Sequence, residues 1–470
     1  MKKNILGVVL LGLFMLGFVP VVWFVNLHFI QTDTFCAINI KEMQNRSDID
    51  MAIIGSSIVR DHFNVEMISE DTGMTAFNVA VPCASMPADI AAIKELYRTN
   101  SPEWTVLALE PYNFDTVKEG IEAWFKLAPY LSDPANILDY YLRVCDADGY
   151  YLDRLFLFRK FGAQTPNDII KAVGLRYWPK QTYEYLSRTM DESLVYNGGG
   201  FLRHETDTRL DDELRYRCLR EYTGYYYSLF DGSREQILEF KRIIEENGSK
   251  PLFVIFNNHT VHGLAEPGFL DYNKSLINFC AEIGVPCYDF TLAKPELMPI
   301  LDEYYYDLYH MVGEGADIFS KAYSRIFNAH VNGEDVSHLF YSSYDEYLNA
   351  IDFITNAWVT QYIPGEEWNQ AWYQDEARVT SLAQTQDVFM ADCNRGAAVV
   401  PEYKFVLVNE DGTQTLLQDF STETLYTCEK GALDGKTLRI YARCPGQEDD
   451  SKHWYDLAVG PVESSLDRFM

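Results

Sequence analysis

Over two separated parts of this chain, short apolar runs alternate with helical stretches, and that alternation narrows the accessible folds more than any other feature. Asp50–Ile54, Ala76–Val81, Thr105–Leu109, Leu252–Phe256 and Val285–Phe290 read as buried strands. Between and after them, Asn64–Asp71, Pro87–Thr99, a stretch opened by a Ser233/Gln236 capping box, Tyr272–Ile283 and Gly315–Phe327 carry apolar residues at helical spacing. The pattern predicts an α/β fold: a parallel sheet flanked by helices, with ligand sites at the carboxyl ends of its strands. Residues 115–232 break the rhythm. They are rich in Tyr, Trp, Leu and charged residues around a flexible Gly198-Gly199-Gly200, and read as a mostly helical insertion that either roofs the site or packs on the sheet. Beyond about residue 335 the character changes again. A helix over Asp345–Ala357 precedes the strand-like runs Val388–Ala391, Tyr403–Asn409, Thr415–Leu417, Thr424–Cys428, Leu438–Arg443 and Trp454–Val459. With a hairpin turn at Asp411-Gly412, these predict a small β-sandwich of immunoglobulin or fibronectin type.

The chain begins with Lys2 and Lys3 ahead of an uncharged run, Ile5 to Val25, long enough to cross a bilayer core of roughly 30 Å as a helix. The run outlasts a signal-peptide core, and no small-residue cleavage site follows it. A retained single-pass anchor is expected, with the N-terminus cytoplasmic, Trp23 at the outer interface and the bulk of the chain outside the cytoplasm. The 470 residues carry a formal net charge of −30. So acidic a surface repels nucleic acid and anionic headgroups, which leaves carbohydrate, a neutral acyl donor or another protein as partner. Nine cysteines are too sparse for a disulfide scaffold. Cys428 and Cys444, in neighbouring strand-like runs, are the first pair to test. The absence of Cys-x-x-Cys argues against a zinc ribbon.

Two short motifs carry the chemistry. Gly55-Ser56-Ser57 ends the first strand, where Gly55 permits a tight turn and a following helical turn exposes Ser57. Asp307-Leu308-Tyr309-His310 stands just ahead of an amphipathic segment. Together they offer a nucleophile (Ser57), a base (His310) and a carboxylate to fix the base's tautomer (Asp307). The alternative for His310 is to cap the helix that begins near Gly313. An oxyanion hole needs backbone N–H groups aimed at the developing charge. The Ser57 amide is one candidate, the loop Asn78 to Cys83 with the Cys83 N–H a second, and Asn113 a third. Asn257, Asn258 and His259 follow a strand and are expected to line the cleft. The His259/His262 pair lacks a third metal ligand, so no metal is expected. Tyr225–Tyr227 and Tyr304–Tyr306 suit either sugar stacking or packing.

On these motifs the chain resembles the GDSL-like esterase and acyltransferase superfamily, the SGNH hydrolases, over about residues 48–114 and 233–328. Gly55-Ser56-Ser57 looks like its first block and Asn78 to Cys83 like its second, with Ala80 and Cys83 where glycines are usual. Asn113 answers to the third block, and Asp307 with His310 matches the closing Asp-x-x-His. The anchor and insertion look more like the branch that holds the D-alanine transfer protein of teichoic acid esterification and the alginate acetylation proteins. The resemblance implies a flavodoxin-like sheet and a Ser57 acyl-enzyme. It implies acyl transfer to, or ester hydrolysis on, a cell-surface glycan or cell-wall polymer, beside a membrane-bound O-acyltransferase. No cofactor is implied. The alternative is an inactive SGNH-like scaffold or glycan-binding protein. The expected division is an anchor over 1–30, the α/β domain over 45–332 and the sandwich over 336–470.

Overall fold

The computed structural model describes residues 2–109, 121–144, 154–178, 181, 185, 194–196, 198–206, 233–256, 269–299, 304–307, 309–350, 357–362, 376–393, 401–409, 411–443 and 454–460. The chain divides into two compact units, one of residues 1–210, 226–258 and 271–340, the other of residues 211–225, 259–270 and 341–470.

The first unit opens with helix α1 (Lys2–His28), whose Leu6–Asn26 stretch has a mean hydropathy of 2.6 and is long and apolar enough to span a membrane. Helix α2 (Thr34–Asn45) follows, its amide end capped by Asp33. Then come β1 (Met51–Gly55), α3 (Ser57–His62), α4 (Val65–Thr72), β2 (Ala76–Ala80), α5 (Met86–Leu96) and β3 (Trp104–Leu109). The hairpin β4 (Leu194–Tyr196) and β5 (Leu202–His204) precedes the helix Arg234–Glu246, β6 (Lys250–Ile255), the helix Phe269–Glu282, β7 (Cys287–Asp289) and the helix Gly313–Asn332. Strands β1, β2, β3, β6 and β7 form one parallel sheet in the order β2-β1-β3-β6-β7. Counted within the sheet that order is 2-1-3-4-5, a doubly wound arrangement whose switch point lies between β1 and β3. All five residues of β1 and of β2 are buried, as are all six of β3, which is why they read as apolar runs interrupted only by Asn78 and Thr105.

All five expected strands of this sheet are present, and two local expectations, a Ser233 side-chain cap and a flexible glycine run, are corrected. Ser233 is the N-cap of its helix but makes no side-chain cap bond, because its backbone is already helical (φ −94°, ψ −21°). Val312 holds the N-cap position of helix Gly313–Asn332, without a side-chain cap bond, so the capping alternative for His310 is not taken up. Gly198-Gly199-Gly200 is pinned rather than flexible. The Gly199 carbonyl accepts the Asn78 N–H at 2.7 Å, and a Cβ on Gly200 would lie 2.0 Å from the Asn78 oxygen. The insertion is helical over Ile121–Leu127, Pro134–Val144, Phe158–Phe161 and Pro166–Tyr177, but its hairpin β4–β5 lies against β2 and α3.

Outward-facing groups of the edge strand β2 are occupied one by one. Ser69 Oγ accepts the Ala76 N–H at 3.0 Å, Gly199 takes the Asn78 N–H, and Asn39 Nδ2 donates to the Ala80 carbonyl at 3.1 Å.

In the second unit a helix runs over Tyr344–Ala350, residues 351–356 of the expected helix lie outside the described residues, and Ala357, its expected last residue, opens strand β8 (Ala357–Gln361). Strands β9 (Gln386–Cys393), β10 (Glu402–Val408), β11 (Gln414–Ser421), β12 (Leu425–Glu429), β13 (Thr437–Arg443) and β14 (Trp454–Ala458) complete two antiparallel sheets, ordered β12-β9-β8 and β11-β10-β13-β14. They share one core, in which Phe389 from one sheet and Phe405, Leu438 and Ile440 from the other are fully buried. Cys428 is unbridged, and Cys444 lies outside the described residues.

Candidate active site

The site is built where β1 ends. At Gly55 a Cβ would come 2.7 Å from Val59 Cγ2, so only glycine lets α3 begin so soon after the strand. Ser56 then caps α3, its hydroxyl accepting the Ile58 N–H at 3.4 Å. Ser57 becomes the first residue of a helix, half-buried, with an amide outside the intrahelical ladder. The far end of α3 is tied to β2: Asn78, fully buried, donates from Nδ2 to the carbonyls of Val59 at 3.0 Å and Phe63 at 2.8 Å. Of the motif Asn78 to Cys83, the asparagine thus spends its donors on holding the helix that Ser57 opens.

Asp307 and His310 arrive on a tight loop between Tyr304 and Val312. The loop is closed by the Tyr306 N–H to the His310 carbonyl at 3.1 Å and the Val312 N–H to the Tyr304 carbonyl at 2.8 Å. Asp307 Oδ1 accepts the N–H groups of Tyr309 (2.7 Å) and His310 (2.8 Å), a side-chain-to-backbone turn that aims its other oxygen inward. Asp307 Oδ2 lies 2.7 Å from His310 Nδ1, and His310 Nε2 lies 2.8 Å from Ser57 Oγ. Because a carboxylate only accepts, Nδ1 carries the proton, and Nε2 faces the serine hydroxyl with its lone pair. From below, buried His62 accepts the Met311 N–H on Nε2 at 3.2 Å and holds the loop in register. Burial, followed by the nearby His310, drives the His62 pKa down to about 3, so it stays a neutral acceptor.

A second carboxylate adjoins the first three residues. Asp61 sits four positions after Ser57 on α3, hence on the same helical face, and is 1% exposed. Arg60 grips it with two bonds, Nε at 2.5 Å and Nη2 at 2.7 Å. His204 Nε2, delivered by β5, stands 3.3 Å away, and the Tyr306 hydroxyl donates to it at 3.4 Å. Asp61 Oδ2 is 4.0 Å from His310 Nε2. Tyr306 lies stacked between two imidazoles, with ring centroids 4.6 Å from His204 and 5.7 Å from His310. Arg203 secures the hairpin from the other side by bonding Asp317 at 2.7 Å.

These contacts set the protonation states. Burial raises the Asp61 carboxyl, but the Arg60 guanidinium and His204 overcome it and hold the group well below the usual carboxylate range. Burial likewise works to lower His310, yet Asp307 and then Asp61 outweigh it and raise its pKa. Burial raises Asp307, and the bonds it accepts from His310 and the backbone bring it below its ordinary value. Burial, with Asp61 next to it, pushes the Tyr306 phenol up, so Tyr306 remains a donor.

Cys83 has φ +66°, the only described non-glycine residue with a positive φ. It keeps the backbone expected of a glycine at that motif position, at a cost of about 1–2 kcal/mol. Its loop is joined to the nucleophile's turn by the Val81 N–H to the Gly55 carbonyl at 3.0 Å, and Lys126 Nζ approaches its sulfur at 3.6 Å.

Ser57, His310 and Asp307 are therefore brought together, and Cys83 lies on a loop tied to their turn. Asn113, Asn257, Asn258 and His259 lie outside the described residues, as do Tyr225–Tyr227. Tyr305 is core, whereas Tyr306 belongs to the site. Asp61, His204 and the role of Tyr306 are additions. For Asp61 the i, i+4 spacing from Ser57 was the available signal; for His204 there was none. No group of three or more metal-ligating side chains occurs among the described residues. Set against family models and against curated proteins, the chain matches none.

Proposed function

We propose that this protein carries out serine-dependent acyl chemistry of the SGNH type at the membrane surface, transferring an acyl group to, or hydrolysing an ester on, a cell-surface polysaccharide or cell-wall polymer. The observation that carries the reading is the continuous chain from Ser57 Oγ to His310 Nε2 (2.8 Å) and from His310 Nδ1 to Asp307 Oδ2 (2.7 Å). Nucleophile and base lie within hydrogen-bond reach, and a third group orients the base. In the first step His310 Nε2 takes the hydroxyl proton as Ser57 Oγ adds to the acyl carbonyl. Collapse of the tetrahedral intermediate breaks the bond to the leaving oxygen, which receives that proton from His310. In the second step His310 deprotonates a glycan hydroxyl or water, which attacks the Ser57 ester and frees the serine. Asp307, and Asp61 beyond Nε2, steady the imidazolium between the two transfers. The amides of Ser57 and Cys83 are the proposed oxyanion donors; the left-handed strain at Cys83 fits a residue held for function.

The anchor reading places α1 across the membrane, with the N-terminus cytoplasmic and the rest of the chain outside. A membrane-bound O-acyltransferase is the proposed donor partner. Lettered along the chain, β8 to β14 give an A-B-E sheet facing a C′-C-F-G sheet, and the module is read as a fibronectin-type spacer or glycan-binding unit.

A fluorophosphonate probe tests the chemistry. The full-length chain is expected to label on Ser57, and Ser57→Ala to lose the label while melting at the same temperature. A folded wild-type chain that stays unlabelled returns the reading to a non-catalytic scaffold.

A further inference from the structure

Outside α1, several of the largest exposed apolar side chains of the first unit cluster where the anchor leaves the span. Phe29 is 43% exposed, Leu155 44%, Phe158 38%, Tyr177 56% and Trp178 59%. Phe29 directly follows α1, and the other four belong to the insertion segment 154–178, which is bonded to the anchor's end at several points. Asn26 Nδ2 donates to the Leu155 carbonyl at 2.7 Å, the Gln31 N–H to the Phe161 carbonyl at 2.7 Å, and the Ala163 N–H to the Phe29 carbonyl at 2.9 Å. His28 Nε2 lies 3.0 Å from the Tyr177 hydroxyl. One contact reaches deeper: the Phe156 ring meets that of Phe18, centroids 5.9 Å apart. Phe18 lies eight residues inside the Asn26 end of the span, about 12 Å along the helix at ~1.5 Å per residue. The hydrocarbon of one leaflet is about 15 Å deep, so a ring at that level sits among acyl chains.

We infer that segment 154–178 is a second membrane contact, a monotopic element that dips into the leaflet beside α1, with Leu155, Phe156 and Phe158 among the acyl chains and Tyr177 and Trp178 at the interface. The occupant is lipid, and three features favour it. The apolar surface is continuous with the anchor itself. Two aromatic side chains with polar tips stand level with the helix end, where an interfacial belt forms. The strongly acidic chain also disfavours attraction to anionic headgroups, so what recognises the membrane here is apolar insertion beside the anchor. The inference rests on the anchor reading but not on which side of the membrane the domain occupies.

The full-length chain in phosphatidylcholine vesicles containing a phospholipid with an acyl-chain diazirine provides the test, with adducts mapped by mass spectrometry. Adducts are expected within 155–158 and at 177–178 as well as within 6–26. They are not expected at Leu238 or Val331, which are comparably exposed (44% and 47%) elsewhere in the unit. The triple variant Leu155→Glu, Phe158→Glu, Trp178→Glu should lose the adducts of segment 154–178 and keep those of the anchor. If that variant fails to fold, Phe158→Ser with Trp178→Ser serves the same purpose. Adducts confined to residues 6–26 overturn the inference alone. Absence of adducts from residues 6–26 as well overturns the anchor reading with it. A segment that stays unlabelled in vesicles but cross-links to another membrane protein in native membranes also overturns it, because the surface is then a protein seat.

Discussion

In the second unit, one described residue with a charged side chain is buried, Asp387, and its carboxylate simply accepts the Gly431 N–H at 2.7 Å. Charges on its strand faces pair with partial exposure, as Arg439 does with Asp456 at 2.6 Å and Arg443 with Glu402 at 2.9 Å. The first unit does the opposite. It buries Asp61 and His62 completely beneath Ser57 and surrounds them with Arg60, His204, Tyr306 and His310. The energetic consequences differ in kind. An exposed pair contributes about 0–1 kcal/mol and its loss is tolerated. Removing one member of a buried network strands the others, at about 3–5 kcal/mol. The second unit relies on apolar packing; the first accepts the cost of buried charge, as the proposed acyl chemistry would require.

Substitutions at four positions bear on that contrast. Asp307→Asn, which favours the wrong imidazole tautomer, should slow probe labelling and turnover on the order of 10³–10⁴-fold while leaving the sheet intact. A loss of less than tenfold would show that the buried cluster is structural. In the second unit Phe405→Ala should cost about 3–5 kcal/mol of that unit's stability, read by denaturant unfolding, with the Ser57 labelling rate unchanged in native buffer. A comparable fall in labelling would erase the division of labour. Asp61→Asn addresses the second carboxylate through pH. His310 must be neutral to accept the serine proton, so labelling rises as pH climbs through its pKa. Asp61 helps hold that pKa above its ordinary value, so removing the charge should move the acid limb to lower pH. An unmoved limb would confine Asp61 to packing. The smallest effect is expected at Cys83, where glycine relieves the left-handed backbone but loosens the unfolded chain. Cys83→Gly should melt within about 1 kcal/mol of wild type and label as fast, whereas β-branched Cys83→Val should be clearly destabilised.

The sheet was legible because β1, β2 and β3 are buried on both faces, as are the last four residues of β6, and leave largely apolar runs with little else to be. The Ser57, Asp307 and His310 trio was legible because the first ends a strand and the others lie three apart on one loop. Residues reached through tertiary folding were not. His204 sits on a three-residue strand within a helical-looking insertion, and nothing in its neighbours announces that β5 is carried to α3. The glycine run at 198–200 suggested slack because glycine permits it, yet the same freedom lets the turn adopt three successive positive φ values and lie flush on β2. Ser233 looked like a cap by composition and failed by backbone angle.

Among the described residues no strand pairs with the outer side of β2, and an open rim of amides and carbonyls invites a second copy to zip on. Here a serine, a glycine carbonyl and an asparagine each stopper one of those vacancies. On the proposed reading that α1 anchors the chain in a membrane, copies would collide in a common orientation on a two-dimensional surface, and the stoppers would keep neighbours as strangers. Trimming the 194–204 hairpin would uncork the Asn78 amide and leave the rim free to recruit its own kind.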